Sequence, residues 1–246
     1  MGMRNIAVIL AGGTGSRMGL PVPKQFAELE GRTVIEHSIE TFCNHPSIDE
    51  VAVVIHPDWR GRMEEIAAGG RWKKLKKIVD GGSERYMSSL NAIMAYIDEP
   101  DDTNLLLHDA ARPFVTEAIV DRVVASLKHY EAVGVAVPST DTVWEVHPDM
   151  NGALTMERGE FEMPRFVVRI PERRLMWRAQ TPQAFRLPII RDAYQRALQD
   201  SQFQATDDCG VVRRYMPEVK VYVVEGSADN FKITTEGDLR RARVDS

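Results

Sequence analysis

The chain has 246 residues, 43% hydrophobic and 27% charged side chains, and a formal net charge of −5. Its length suits one large α/β domain or two small ones, and its acidic balance excludes a protein that coats nucleic acid, which needs a basic face. No apolar run reaches about 18 residues and no signal-peptide core follows Met1, so a cytoplasmic protein without a membrane partner is expected. Cys43 and Cys209 are read as reduced thiols.

Ile6–Leu10 is a continuous apolar run, the pattern of a strand covered on both faces. It breaks into Gly12, Gly13 and Gly15, where the backbone can take positive φ and no side chain keeps an anion from the amides. Arg17 and Lys24 follow, the latter in a Pro-Lys-Gln turn, and the stretch reads as a triphosphate cradle with two cations aimed at it. A Walker A loop would carry Lys-Ser/Thr where Ser16-Arg17 stands, and the dinucleotide fingerprint would need glycine at Met18. Next come a helix from Thr33 through Cys43, a strand at Val51–Ile55, a helix over Met63–Ala68 and a strand at Lys76–Val79. Arg71–Lys77 reads as a solvated edge with Trp72 and Leu75 turned inward.

A second glycine turn, Asp80-Gly81-Gly82, precedes a helix opened by Ser83 and carrying Glu84, Arg85, Ser88 and Ser89. These groups suit a nucleobase or ribose, or serve only as a cap. The strand Asn104–Leu107 runs into His108-Asp109-Ala110-Ala111-Arg112. Ligands of open α/β sheets bind at the carboxyl ends of strands, which makes Asp109 a candidate Mg²⁺ ligand unless it merely pairs with Arg112. His108, flanked by apolar residues, is read as a buried hydrogen-bonded side chain rather than a base. A helix over Thr116–Tyr130 and a strand at Ala132–Val137 follow.

The strand–helix alternation then stops. Residues from about 138 to 188 hold short β-rich pieces, Thr142–Val146 and Phe166–Ile170, which suit an arm pairing with a second subunit; Arg165, Arg169, Arg173 and Arg174 cluster on it. A helix over Pro188–Leu198 is followed by Thr206-Asp207-Asp208, read as the cap and first-turn acids of a short helix through Arg213. The last strand, Val219–Val224, leads to Asp229, Lys232 and Thr234; if it lies beside the strand of Asp109, the two acids share a metal.

AGGTGSRMG with PKQF, DGGSERYMSS, LLLHDAARP, Asp141-Thr142, QTPQAF, TDD and EGSADNFKITTEGDL occur in the order found in the cytidylyltransferases that act on sugar-alcohol phosphates. The chain resembles the methylerythritol-phosphate branch of that family most, and the ribitol-phosphate branch closely. The resemblance implies an α/β, Rossmann-like fold: a largely parallel sheet flanked by helices, in a single domain over 1–246, with the protruding β-arm used for homodimerisation. It implies CTP and a polyol phosphate as substrates and Mg²⁺ as cofactor. Ala11, Gly12, Gly13, Gly15, Gly82, Ser83, Ser88 and Ala110 would then bind the nucleotide, and Arg17, Lys24 and Lys232 would be catalytic. Arg112, Thr142, Arg173 or its neighbour Arg174, and Thr234 would surround the polyol phosphate, and Asp109 and Asp229 would hold the metal.

Between the branches, HDAAR and TDD look more like the methylerythritol enzyme, whereas Val143-Trp144-Glu145 and the IPER segment at Ile170–Arg173 look more like the ribitol enzyme. Methylerythritol 4-phosphate is the favoured acceptor. A nicotinamide-dependent oxidoreductase and a non-catalytic CTP-sensing protein are the alternatives from other classes.

Overall fold

The computed structural model describes residues 3–13, 22–149, 155–157 and 160–244. Arg17 and Gly15 therefore lie outside the described residues. The chain divides into two compact units, one formed by Met1–Ala136 with Gln180–Ser246 and the other by Val137–Ala179.

In chain order the first unit holds β1 (Asn5–Ala11), a short hairpin of β2 (Glu28–Leu29) and β3 (Arg32–Thr33), α1 (Val34–Asn44), β4 (Glu50–Ile55), α2 (Arg60–Ala68), β5 (Leu75–Asp80), α3 (Arg85–Met94), β6 (Asn104–Asp109), α4 (Glu117–Leu127) and most of β7 (Ala132–Pro138). The second unit carries β8 (Glu145–Pro148), β9 (Thr155–Glu157), β10 (Glu160–Glu162) and β11 (Arg165–Arg169), paired antiparallel as β8 with β11 and β9 with β10. The chain re-enters the first unit through β12 (Trp177–Arg186), then α5 (Leu187–Ala197), α6 (Asp208–Tyr215), β13 (Val221–Glu225) and α7 (Glu236–Val244).

Seven strands form one sheet in the order β13-β7-β12-β6-β1-β4-β5. Its pairings are parallel except for β12, which runs antiparallel to β6. β1, β4 and β6 are buried along their whole length, their apolar runs filling the core and their few polar residues, Asn5, Glu50, Asn104, His108 and Asp109, standing at the strand ends. Alternate residues serve opposite faces. Ala7 and Ile9 pack with Ile35, Ile39 and Phe42 of α1 and Ile119 and Val123 of α4, while Ile6 and Val8 pack with Ile93 of α3 and Ile190 and Tyr194 of α5. A capping box starts α1, the Thr33 amide donating to Glu36 Oε2 at 2.8 Å.

Several expected boundaries shift, among them the strand expected at Thr142–Val146, which is Glu145–Pro148. Glu84 caps α3, so the helix begins at Arg85 rather than Ser83, and the last strand starts at Val221. More consequential is its place. β13 is an edge strand with β7 and β12 between it and β6, so it does not lie beside the strand of Asp109. Strands about 4.8 Å apart put it three spacings away.

Candidate active site

The carboxyl ends of β1 and β6 are in register, Leu10 opposite Asp109, and both chains turn there into one cavity of about 190 Å³. Its lining includes Ala11, Gly12 and Gly13, Lys24, Ser83, Arg85 and Ser88, Asp109 and Ala110, and Lys232. Five separate chain segments converge on it.

Gly12, Gly81 and Gly82 are there for close approach, whereas a Cβ on Gly13 would meet nothing within 4 Å. Neither Gly12 nor Gly13 takes the positive φ open to a glycine. A Cβ on Gly12 would lie 2.4 Å from Ser88 Oγ, and one on Gly81 would lie 3.1 Å from Gly12 Cα, so the two glycine turns pack directly on each other. The Gly82 amide donates to Ser88 Oγ at 3.2 Å, and a Cβ there would meet that of Met87 at 2.2 Å. Gln25, which sequence reasoning left without a role, is buried and donates through Nε2 to the carbonyls of Ala11 at 2.8 Å and Gly13 at 3.0 Å. It ties the turn that carries Lys24 to the glycine loop.

Asp109 is the electrostatic centre. Its Oδ2 pairs with Lys232 Nζ at 2.8 Å, its Oδ1 accepts from Arg85 Nε at 3.2 Å, and Arg112 Nε stands 3.9 Å away. Burial alone would raise this carboxyl, but the charges of Arg85, Lys232 and Arg112 outweigh it and hold the group far below the usual carboxylate range. It is therefore ionised at any working pH.

His108 is the buried, hydrogen-bonded residue expected. Burial, its largest influence, pulls its pKa down to about 4. The Arg112 carbonyl, 3.1 Å from Nε2, requires the proton on that nitrogen, which leaves Nδ1 to accept the Thr181 hydroxyl at 3.1 Å. Thr181 Oγ1 in turn accepts the Asp109 amide at 3.0 Å. Every partner in this chain is satisfied, and it fixes the backbone that carries Asp109.

Lys232 comes from the far side of the sheet. Its loop crosses back over β7 and β12, docked by the Ile233 amide on the Ala111 carbonyl (2.8 Å), by Arg112 Nη1 on the Asn230 carbonyl (2.8 Å) and by the buried Asn230 side chain on the Thr181 carbonyl (3.0 Å). Arg112 is thus mostly buried and bound to this loop.

A model of the IspD family, 2-C-methyl-D-erythritol 4-phosphate cytidylyltransferase, matches residues 5–244. The chain belongs to the 2-C-methyl-D-erythritol 4-phosphate cytidylyltransferase family. A member from Thermobifida fusca is 45% identical over 98% of this chain and 92% of its own length. The Haemophilus influenzae bifunctional ribulose 5-phosphate reductase/CDP-ribitol pyrophosphorylase Bcs1 is 40% identical over 96% of this chain, which spans 47% of that protein. The crystal structure of the 4-diphosphocytidyl-2C-methyl-D-erythritol synthase of Anaerococcus prevotii superposes with a TM-score of 0.80 at 28% identity, covering 99% of this chain and 98% of that one.

Of the residues that resemblance to this cytidylyltransferase family marked, the cavity brings together Ala11, Gly12, Gly13, Lys24, Ser83, Ser88, Asp109, Ala110 and Lys232. Others stand apart. Asp229 is exposed, its carboxylate accepting only the Ser227 hydroxyl among described contacts, at 3.3 Å. Thr234 donates its hydroxyl to Asp238 Oδ2 at 2.7 Å and belongs to the start of α7. Thr142 and Arg173 lie exposed on the second unit.

Two residues gain a part that their sequence context did not announce. Asp207 caps α6 as expected, accepting the Gly210 amide at 2.8 Å, but Asp208 is wholly buried and pairs with Arg85 Nη1 at 2.8 Å. A signal did exist. A cation in the first turn of α3 opposes the helix dipole, which points to carboxylate partners elsewhere in the fold.

Proposed function

We propose that this protein transfers the cytidylyl group of CTP to 2-C-methyl-D-erythritol 4-phosphate, releasing pyrophosphate. An oxygen of the acceptor phosphate forms a bond to the α-phosphorus of CTP, the bond from that phosphorus to the oxygen bridging to the β-phosphate breaks, and pyrophosphate leaves with that oxygen. No protein nucleophile is needed, only alignment and neutralisation of the charge that builds on the α-phosphate and leaving group. The observation that carries the reading is the glycine-lined cavity at the ends of β1 and β6 with Lys24, Lys232 and Asp109 on its walls, in a chain that fits the family from residue 5 to 244.

The glycine turns, with Ser83, Ser88 and Ala110, cradle the nucleotide. Lys24, Lys232 and Arg17 neutralise the phosphates. Magnesium suits the donor set, since an ionised carboxylate with capacity left on both oxygens, completed by phosphate oxygens and water, is a usual magnesium environment. Asp109 would hold the ion, which when bound adds positive charge on the triphosphate. Arg112 and Thr234 are assigned to the acceptor phosphate, with Arg173 of the arm lent to it across a homodimer.

The second unit supports a homodimer. Trp144, Phe166, Ile170 and Leu175 are more than half exposed on it, an apolar surface that a second copy would cover. A cytoplasmic location accords with the lack, among the described residues, of any helix long and apolar enough to cross a membrane.

Pyrophosphate release from CTP and Mg²⁺ tests the reading, with methylerythritol 4-phosphate and ribitol 5-phosphate run in parallel and UTP and ATP as controls. Turnover with CTP and methylerythritol 4-phosphate alone is expected. The kinship with the CDP-ribitol pyrophosphorylase half of a bifunctional protein makes ribitol 5-phosphate the second reading, and turnover with it alone would replace the first.

A further inference from the structure

We propose that Arg85, held by the buried carboxylate of Asp208, is a positioning residue for this reaction: it orients the Asp109 carboxylate and keeps it paired with Lys232. The inference rests on the reading of Asp109 and Lys232 given above. Four charges of alternating sign run from the core to the cavity: Asp208, Arg85, Asp109 and Lys232. The links are 2.8 Å between Asp208 Oδ2 and Arg85 Nη1, 3.2 Å between Arg85 Nε and Asp109 Oδ1, and 2.8 Å between Asp109 Oδ2 and Lys232 Nζ. Each Asp109 oxygen thus answers to a different cation, and the pair together sets the plane of the carboxylate.

Asp208 is the fixed end of the chain. Its Oδ1 accepts the Tyr194 hydroxyl at 2.7 Å, its amide donates to Gln183 Oε1 at 3.0 Å, and it has no exposed surface. Arg85 lines the cavity, where a triphosphate would compete for it. A planar guanidinium held by one carboxylate can present another edge to a second one without turning. Without Asp208 the same cation is free to collapse onto Asp109 or follow the phosphates. Stability alone is a poor reason for such a cluster, because a buried ion pair seldom outperforms an apolar replacement of the same shape.

Kinetics and thermal unfolding of Asp208→Asn, Arg85→Lys, the double variant and Tyr194→Phe test this. Asp208→Asn is expected to lower kcat about tenfold or more while leaving the KM for CTP within about threefold, the pattern of an interaction that matters in the transition state. Arg85→Lys keeps the charge but loses the planar fork and should lose as much. The double variant should add less than about twofold, because both changes break one unit. Tyr194→Phe removes one hydrogen bond to Asp208 but leaves its pairing with Arg85, so it should lower the melting temperature and cost less in kcat than Asp208→Asn. A folded Asp208→Asn with wild-type kcat, or additive losses in the double variant, would overturn the inference. Should Asp208→Asn fail to fold, Arg85→Lys decides alone, and unchanged kcat in it overturns the inference. Wild-type turnover in the same assay keeps the two readings apart: silence from the wild type defeats the proposed function and this inference with it, whereas active wild type with unaffected variants defeats only the inference.

Discussion

After two strands an acid stands three residues before a cation that looked functional, Asp109 before Arg112 and Asp229 before Lys232, and the fold treats them differently. At the end of β6, Asp109 is buried and surrounded by Arg85, Lys232 and Arg112. Beyond the end of β13, Asp229 is exposed and bonded to the hydroxyl of Ser227. The cause is position in the sheet. β6 is internal and covered by helices on both faces, so its end opens into a cavity walled by other segments, whereas β13 is an edge with Tyr222 and Val223 exposed. Asp109 owes its lowered pKa to the cations its surroundings bring to it, which the strand-end motif alone does not supply.

The sharpest break of that comparison is Asp109→Asn. Three cations would be left around a neutral side chain, so a stability loss of about 3–5 kcal/mol is expected, as when one partner of a buried ion pair is removed. Activity in the folded fraction should fall by about 10² or more. Chemical unfolding together with pyrophosphate release would show both, and wild-type values in both would remove Asp109 from its central place. Lys24→Ala comes next. It faces the same cavity from a partly exposed turn, so kcat should fall at least about 10², on the order of 3 kcal/mol, with the melting temperature little changed. Near-normal kcat would mean that charge neutralisation does not pass through Lys24.

Asp229→Asn sharpens the contrast from the other side. A solvated carboxylate outside the cavity lining should cost no more than about tenfold in kcat/KM, with no loss of stability. If the loss and the Mg²⁺ requirement match those of Asp109→Asn, the two acids hold the ion jointly despite their different environments.

Much of this was legible in the residues. Apolar runs named β1, β4 and β6, glycines marked both turns at the cavity, and the strand-end rule found Asp109, because each rests on local composition or spacing. Long-range placement was not legible. Nothing in Val219–Val224 says that two other strands intervene before β6, so the expectation that Asp229 and Asp109 share a metal rested on a strand adjacency that the sheet order overturns. Asp208 read as a helix-start acid because its neighbour Asp207 is one; only the packing of α6 against α5 turns it inward toward Arg85. The glycine at position 12 was read as freeing the backbone and letting an anion approach the amides, and the further reason for it, the approach of Gly81 and Ser88, arises only in the folded chain.

The smallest expected effect lies in the second strand-end loop itself, at Asp238. Burial would raise this carboxyl, but hydrogen bonds from the hydroxyl and amide of Thr234 and from Thr235 outweigh it and hold it at about 2, against an ordinary value of 3.8. The Thr235 hydroxyl accepts the Asp238 amide at 3.2 Å while Asp238 Oδ2 accepts the Thr235 amide at 2.8 Å, a reciprocal cap at the start of α7. An acid whose folded pKa is lowered stabilises the fold above its unfolded pKa and loses that contribution as the pH falls through the folded one. Asp238→Asn should therefore cost about 1 kcal/mol at neutral pH, the usual worth of a helix cap, and the gap to wild type should close between about pH 4 and 2. Urea unfolding of both proteins across that range reads it directly. A gap that persists at pH 2 would show that Asp238 acts through shape rather than charge, and would release the Thr234 hydroxyl from the capping role that now occupies it.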